Sequence, residues 1–446
     1  MRSMPADTPV SDPLAQRPSL RLTHATAMVV GTIIGASIFV QPSEITREMP
    51  SVSGVVAAWI GAGLLTIAGA LVSAELASAF PETGGVYVFL KEAYSPMVGF
   101  LWGWAMLWSM HSGIIAAIAV VFARYLAVFV PLGEMGMRVA AVGLIVALSA
   151  VNIAGVRYGG RVQNLFTAAK LAAILALVAA GLMWSAGPAA TSAASGSVSI
   201  RGLILAVAAG LFAYGGWHMV TYTAGETVDA ARTIPRALLA GTIIVTVCYA
   251  GLNAIYLRVL PLDAVRASTH VAADAAQALF GAGGAKLIAG LVLISTFGAA
   301  NGIILVGPRV YYSMARDGLL FDWLGAVHPV TRTPHVALIA QAVIASALAA
   351  TNTYGTLFAR VVYTEWIFFA AMAWGLIRLR RRRTYQPTYR VPAYPLVPAL
   401  FIAASLVIVG TQVAASPAGS AVGLGLVLLG LPVYFLWSRH ARHRLS

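Results

Sequence analysis

Charged residues are scarce in this chain: they make up 10% of its 446 residues, whereas a soluble domain carries about 25%. Hydrophobic residues make up 59%, and the mean hydropathy is +0.83. This composition excludes a soluble enzyme, a nucleic-acid-binding module and a disordered chain. The single cysteine, Cys248, excludes a disulfide within the chain. No GxxxxGK(S/T), HExxH or CxxC motif occurs, so the sequence predicts no cofactor, no metal site and no ATP-driven activity within this chain.

Apolar segments long enough to cross a bilayer, which takes roughly 20 residues, recur along the whole chain. The twelve predicted spans are 22–40, 53–79, 98–130, 138–155, 163–184, 201–222, 238–260, 286–310, 336–350, 356–377, 396–413 and 420–437. The polar first 20 residues contain no apolar stretch of the kind a cleaved signal peptide needs, so we expect them to be a retained tail.

The basic residues give the orientation. Of the 29 Lys and Arg residues, alternate loops place 20 on one side and 8 on the other, and Lys170 falls within a span. Because positive residues concentrate on the cytoplasmic side, an even number of spans puts both termini in the cytoplasm. The arginine run at 378–383 follows the tenth span directly. It predicts an orientation anchor in contact with anionic lipid headgroups, and it does not indicate nucleic-acid binding.

Two spans contain paired glycines that predict interruptions. The first span includes VGTIIGASIF (30–39), and the sixth includes FAYGGWH (212–218). Since each glycine weakens a helix by about 1 kcal/mol, these segments are expected to unwind. They lie five spans apart, and five is odd, so the pattern predicts two inverted five-helix repeats with matching breaks. Matching breaks of this kind are typical of transporters that bind substrate at the membrane midplane. The alternative is that the glycines only allow close helix packing.

Unwound backbone exposes groups that suit a zwitterion. Free N–H groups at Gly35, Ala36 and Ser37 would hold a carboxylate at the start of a half-helix. Free carbonyls at Ile33 and at Phe212–Ala213 would hold an ammonium group. A small amino acid satisfies both sets at once.

At these residues the sequence resembles the amino acid–polyamine–organocation (APC) permeases, closest to the L-type amino acid transporter branch and its bacterial relatives. The resemblance rests on GTIIGASIF in the first span, FAYGGW in the sixth, FPETGGVYVFLKEAYSPMVGFLWGW (80–104) and GPRVYYSMARDGLL (307–320). It implies an all-α membrane protein with the LeuT-like, or APC, fold: twelve transmembrane helices, ten of them in a 5+5 inverted repeat with broken helices 1 and 6, plus two peripheral helices.

The resulting division of the chain has seven parts. They are an N-terminal cytoplasmic tail (1–21), a first repeat (22–184), an external connector (185–200), a second, inverted repeat (201–378), a basic cytoplasmic loop (379–395), two peripheral helices (396–438) and a C-terminal cytoplasmic tail (439–446).

Two departures from the family pattern touch the expected site. The family often has Ser-Gly where Ala36-Ser37 stand, and the L-type branch commonly has Asn-Tyr where His218-Met219 stand. Side-chain specificity therefore cannot be carried over. Animal L-type transporters bond a heavy chain through an external cysteine, but the corresponding loop here reads PLGEMGMR, which excludes a disulfide-linked ancillary subunit.

The resemblance also implies a role for Lys170, the one lysine within a span. In sodium-independent permeases a lysine on the fifth helix stands where sodium-coupled relatives bind an ion, and it bridges the first and eighth helices. We expect Lys170 to do the same, with Asn301 as a nearby coupling residue. The alternative for Lys170 is a side chain that snorkels to the interface.

Other polar and aromatic residues at membrane depth are candidate site residues. Phe212 is the expected lid over the substrate, and Gly215 and His218 are expected to line the second break. Glu365 is a candidate proton relay or gate. Glu75 is expected to be structural, satisfied by helix termini or serines. His111 is expected to be a packing residue.

The sequence therefore predicts a sodium-independent secondary transporter of amino acids, favouring neutral ones, in the cell (inner) membrane. It would work by alternating access, either as an exchanger or as a proton-coupled symporter. The alternatives are transport of a related amine or polyamine, a membrane-embedded enzyme or a channel. No nucleophile–base set supports an enzyme, and two local breaks fit a channel poorly.

Overall fold

Helices dominate the structure, which is a computed structural model. It describes residues 18, 20–35, 37–183, 199–268, 270–352 and 354–443. Within that part of the chain the only extended pairing is an isolated parallel bridge between Leu20 and Thr227.

The first half contains eight helices: α1 (Leu22–Ile33), α2 (Ser37–Glu48), α3 (Val52–Ala79), α4 (Val86–Ala93), α5 (Pro96–Ala105), α6 (His111–Leu126), α7 (Glu134–Ala154) and α8 (Val156–Met183). The second half contains α9 (Ile200–Ala213), α10 (Ala230–Val259), α11 (Leu262–Ala267), α12 (Val271–Phe280), α13 (Gly284–Val306), α14 (Pro308–Arg316), α15 (His335–Thr351), α16 (Tyr354–Leu379), α17 (Leu396–Ala415), α18 (Pro417–Leu428) and α19 (Gly430–His443).

Over the described residues, nine helical stretches are long and apolar enough to cross a membrane, and a tenth is formed if the bent pair α1–α2 counts as one span. This confirms the predicted class, an all-helical, multi-pass membrane protein. One of the nine, Pro96–Leu126, runs from α5 into α6 through a π-helical segment at Met106–Met110. The predicted third span at 98–130 is therefore a single long helical stretch.

The first predicted break lies between α1 and α2, whose axes differ by 47°. Ala36 lies outside the described residues. The helix after the break extends to Glu48, well past the predicted end at residue 40. The prediction was short because QPSEITRE lacks the apolar character on which a span is recognised, although its backbone continues as a helix.

The second predicted break begins where α9 ends at Ala213, and a 3₁₀ helix, Trp217–Glu226, follows it. Gly216 has φ +98°, and a Cβ there would lie 3.0 Å from the backbone oxygen of Thr32. Only glycine suits both the left-handed backbone and this close approach. The Thr32 hydroxyl also donates to the Gly216 carbonyl at 3.2 Å, so the two breaks lie against each other.

The basic loop is held against the helices beside it. Arg380 Nε donates to Glu75 Oε1 at 2.7 Å, and Arg382 Nη1 donates to the Glu92 carbonyl at 2.9 Å. The Glu75 carboxylate was expected to hydrogen-bond with serines or helix termini. Its hydrogen-bond donors are instead Arg380 and the N–H of Val391. Lipid contact stays a prediction for the exposed Arg381 and Arg383.

Candidate functional site

A cavity of about 40 Å³ lies where the two breaks meet. Six of the predicted site residues line it: Ile33, Gly35, Ser37, Phe212, Gly215 and Glu365. Ala213 and His218 do not belong to its wall, and Ala36 lies outside the described residues. The rest of the wall is largely apolar and includes Ile118 and Trp366.

The backbone groups at the first break differ from the expectation. The Gly35 N–H, expected to be free, donates to the Ile33 carbonyl at 2.8 Å. Because α2 begins at Ser37, the N–H groups of its first turn are the ones without acceptors inside that helix. The positive helix end that suits a carboxylate therefore starts at Ser37, on the cavity wall.

Tyr249 on α10 connects the two breaks, a role that nothing in its local sequence predicts. Its hydroxyl lies 3.0 Å from the Ile33 carbonyl and 3.0 Å from the Ala213 carbonyl, and the side chain is fully buried. The prediction that both carbonyls are free for an ammonium group is therefore wrong for this conformation. A phenol carries one hydrogen, so Tyr249 donates to only one of the two carbonyls at a time. Because the Ile33 carbonyl also accepts from the Gly35 N–H, an open lone pair is left on whichever carbonyl does not accept from Tyr249.

We expect Tyr249→Phe to reduce amino acid uptake about tenfold, because the net loss of a buried hydrogen bond reaches about 1.5 kcal/mol. Tyr256→Phe is the matched control: Tyr256 is buried on the same helix, and its hydroxyl has no hydrogen-bond partner among the described residues. Initial uptake rates in proteoliposomes with equal amounts of protein would test this. Equal rates for the two variants would contradict the bridging role.

Lys170 occupies the junction of α1, α8 and α13. Its Nζ donates to the carbonyls of Gly31 at 3.1 Å, Ile34 at 2.6 Å and Ser295 at 3.3 Å. An ammonium group has three hydrogens, so all of them have acceptors. The side chain is 0% exposed, which rules out snorkelling to the interface.

Asn301 is buried on α13 but is not hydrogen-bonded to Lys170, whose acceptors are all backbone carbonyls. Its side-chain oxygen accepts from Asn152 Nδ2 at 3.0 Å, and its Nδ2 lies 3.5 Å from Gln163 Oε1. It thereby connects α13 with α7 and α8. A coupling role for Asn301 stays a prediction.

Glu365 and His218 face each other at the second break. Glu365 Oε1 lies 3.7 Å from His218 Nε2. The imidazole is packed edge-on against Trp102, Trp217 and Phe369, with ring centroids 4.9–5.9 Å apart. His218 is therefore next to Glu365 but does not line the cavity.

His111, expected to be a packing residue, hydrogen-bonds the Ile303 carbonyl at 2.9 Å.

At the end predicted to face the cytoplasm, backbone and side-chain contacts join the start of the first broken helix to the end of the second. The Leu20 N–H donates to the Glu226 carbonyl at 3.0 Å, and the Val228 N–H donates to the Leu20 carbonyl at 2.9 Å. The Glu226 carboxylate forms a bidentate pair with Arg309 on α14, at 2.6 and 2.9 Å. Arg309 is 2% exposed, so this ion pair is buried.

A second polar cluster ties α4 to the end of α14. Tyr87 donates to Asp317 Oδ2 at 2.5 Å, and Lys91 pairs with the same oxygen at 2.8 Å. Burial, followed by the hydrogen bond to Asp317, raises the pKa of Tyr87. Its phenol is therefore a permanent donor to Asp317 across the neutral range.

A membrane-embedded cavity between two interrupted helices defines a protein of the transporter class. The family model "Amino acid permease" matches residues 20–435, and the chain belongs to this family. The serine/threonine exchanger SteT of Bacillus subtilis (strain 168) is 33% identical over 418 residues, which cover 93% of this chain and 95% of that protein. The large neutral amino acids transporter small subunit 2 of Homo sapiens is 31% identical over 95% of this chain and 81% of its own length. The b(0,+)-type amino acid transporter 1 of Homo sapiens is 30% identical over 94% of this chain and 87% of its own length.

These findings confirm the predicted resemblance and the predicted activity, amino acid transport. The relatives named above are transporters, which fits the expectation that the chain is not an enzyme. Within the described residues, no group of three or more His, Cys, Asp or Glu side chains is arranged to hold a metal ion.

Proposed function

We propose that this permease exchanges neutral amino acids across the cell membrane without sodium, by alternating access to the cavity between the two breaks. The names of its relatives support neutral substrates and exchange. The substrate carboxylate would lie at the first turn of α2, and its ammonium group would donate to whichever of the Ile33 and Ala213 carbonyls does not accept from Tyr249. Phe212 would close over it. A simple amine or polyamine has no carboxylate for the α2 N-terminus, so it is the weaker alternative.

The observation that carries sodium independence is Lys170. A sodium ion needs a cage of oxygen ligands, and at this junction three carbonyl oxygens already accept from a fixed ammonium group. The lysine supplies the positive charge that holds the end of α1 against α13. A bound sodium ion would compete with it for the same oxygens.

Reconstitution in proteoliposomes tests the proposal. We expect labelled serine, threonine, alanine or leucine to enter vesicles loaded with unlabelled amino acid at least tenfold faster than empty vesicles. Replacing sodium by choline is expected to leave the rate unchanged. Strict sodium dependence would overturn the role of Lys170. Uptake driven by a pH gradient into empty vesicles would favour proton symport over exchange.

We infer twelve spans with both termini in the cytoplasm. The nine helical stretches and the bent pair are supplemented by α15 and α16, which coincide with the predicted spans at 336–350 and 356–377. The inverted repeat, 22–184 against 201–378, is supported by the five-span separation of the two breaks and their mutual contact. Reporter fusions at both ends of the chain, with readouts specific to each side of the membrane, would test this topology.

A further inference from the structure

Among the described residues that line the substrate cavity, Glu365 is the only ionisable side chain. It is 7% exposed, and its neighbours on the wall include Met219, Ile303 and Trp366. An ionisable group placed in an apolar wall at membrane depth is costly, so it indicates a binding or transport role.

The Glu365 carboxylate lacks a hydrogen-bond donor within the described part of the chain. The nearest basic group is His218 Nε2, whose distance of 3.7 Å from Oε1 is too long for a hydrogen bond. His218 Nδ1 is buried and has no partner either. Because buried polar groups are normally paired, an acceptor left open on a cavity wall points to a donor on the molecule that the cavity binds.

Another part of the cavity wall offers different chemistry. Gly35 and Ser37 place the positive end of α2 on its wall, which suits the carboxylate common to all amino acids. Glu365 repels a carboxylate when ionised and accepts a hydrogen bond in either protonation state. These two chemically different parts of the wall therefore distinguish the α-carboxylate from the side chain of a bound amino acid.

We propose that Glu365 accepts a hydrogen bond from the substrate side chain, so that the protein selects amino acids with a side-chain hydroxyl over apolar amino acids of the same shape. This inference rests on the proposed function. The cavity volume of about 40 Å³ corresponds to roughly three water molecules. A volume of this size favours small amino acids over long or aromatic ones.

His218 is a positioning residue in this arrangement. Its ring is held on three sides by Trp102, Trp217 and Phe369, so it can change orientation little. Its Nε2 edge faces the carboxylate and limits where Glu365 can turn. The pair keeps the acceptor directed at the cavity.

The comparison of threonine with valine tests the proposal, because the two differ by a hydroxyl against a methyl group. Each competes with labelled alanine for uptake into proteoliposomes. We expect threonine to compete at least tenfold more strongly than valine in the unaltered protein, as a hydrogen bond to a charged or buried acceptor allows. In Glu365→Leu the preference is expected to fall below about twofold through weaker competition by threonine, measured as a ratio at the alanine uptake rate of that variant.

Two further variants separate selection from folding. Glu365→Gln keeps an acceptor of similar size, and we expect its preference for threonine to fall by about threefold or more. His218→Phe preserves the aromatic packing and removes the nitrogen that faces Glu365. A positioning role predicts a weaker preference for threonine with alanine uptake retained, which a purely structural role would not produce.

The outcomes are distinguishable. If no amino acid is taken up, the proposed function fails. If alanine is taken up but threonine and valine compete equally, or if the preference persists in Glu365→Leu, the assignment of Glu365 is overturned. Should Glu365→Leu take up no alanine, the decision passes to Glu365→Met, which keeps the length of the side chain and removes its oxygen acceptors; an unchanged preference for threonine in that variant overturns the assignment.

Discussion

Lys170→Ala is expected to lower amino acid exchange at least 100-fold. The substitution removes three charge-assisted hydrogen bonds, each worth about 1.5–3 kcal/mol, and leaves the carbonyls of Gly31, Ile34 and Ser295 without that donor. The end of α1 loses the ammonium group that joins it to α13, and Ile33 and Gly35 of the cavity wall lie at this end. The initial rate of labelled amino acid exchange, at matched amounts of reconstituted protein, measures the effect.

Lys286→Ala is the control for this prediction. Lys286 is exposed near the start of α13, so removing its charge tests the loss of a lysine without the loss of the junction. We expect its exchange rate to stay within about twofold of the unaltered protein, since isolated surface charges contribute little. Exchange by Lys170→Ala at the rate of Lys286→Ala would show that the junction does not need the ammonium group.

The features that the sequence predicted correctly are those whose signal is local. Apolar runs directly indicate segments that span a membrane, and paired glycines indicate where helix stability is low within a few residues. Lys170 was identified because a charged side chain within an apolar span is energetically costly and is expected to face a cavity or a polar partner. Each of these features is visible in a short window of sequence. In the structure, the first glycine break and the buried lysine are in contact.

The features that the sequence did not reveal depend on contacts between distant segments. In the sequence, Tyr249 resembles any other large residue of an apolar helix. Its hydrogen-bond acceptor, the Ile33 carbonyl, is 216 residues away along the chain. The position of His218 next to Glu365 follows from aromatic packing that brings α5, the 3₁₀ helix Trp217–Glu226 and α16 together. The short helices α11 and α12 were not predicted because, at 6 and 10 residues, they are too short to be recognised as membrane segments.

Arg309→Met is expected to destabilise the protein by about 3–5 kcal/mol, because removing one partner of a buried ion pair leaves the other charge uncompensated. Here the uncompensated group is Glu226, which Arg309 contacts through two hydrogen bonds. The double variant Glu226→Gln/Arg309→Met removes both charges, so we expect it to be more stable than Arg309→Met alone. Thermal unfolding of the purified protein in detergent would measure both. Arg47→Met is the matched control: its pair with Glu44 is exposed, and we expect a change below about 1 kcal/mol.

The same substitution is expected to open the end of the broken helices that the Glu226–Arg309 pair closes. Thr223 is fully buried, and it lines a small cavity together with Arg309, His24 and Met28. In a Cys248→Ser background, Thr223→Cys would therefore report access to this cavity by its labelling with a membrane-impermeant maleimide from the cytoplasmic side. We expect labelling to be several-fold faster when Arg309→Met is added, and unchanged when Arg47→Met is added. Equal labelling with and without Arg309 would mean that the ion pair stabilises the fold without closing the pathway, because access would then be limited by the backbone pairing of Leu20 with Glu226 and Val228.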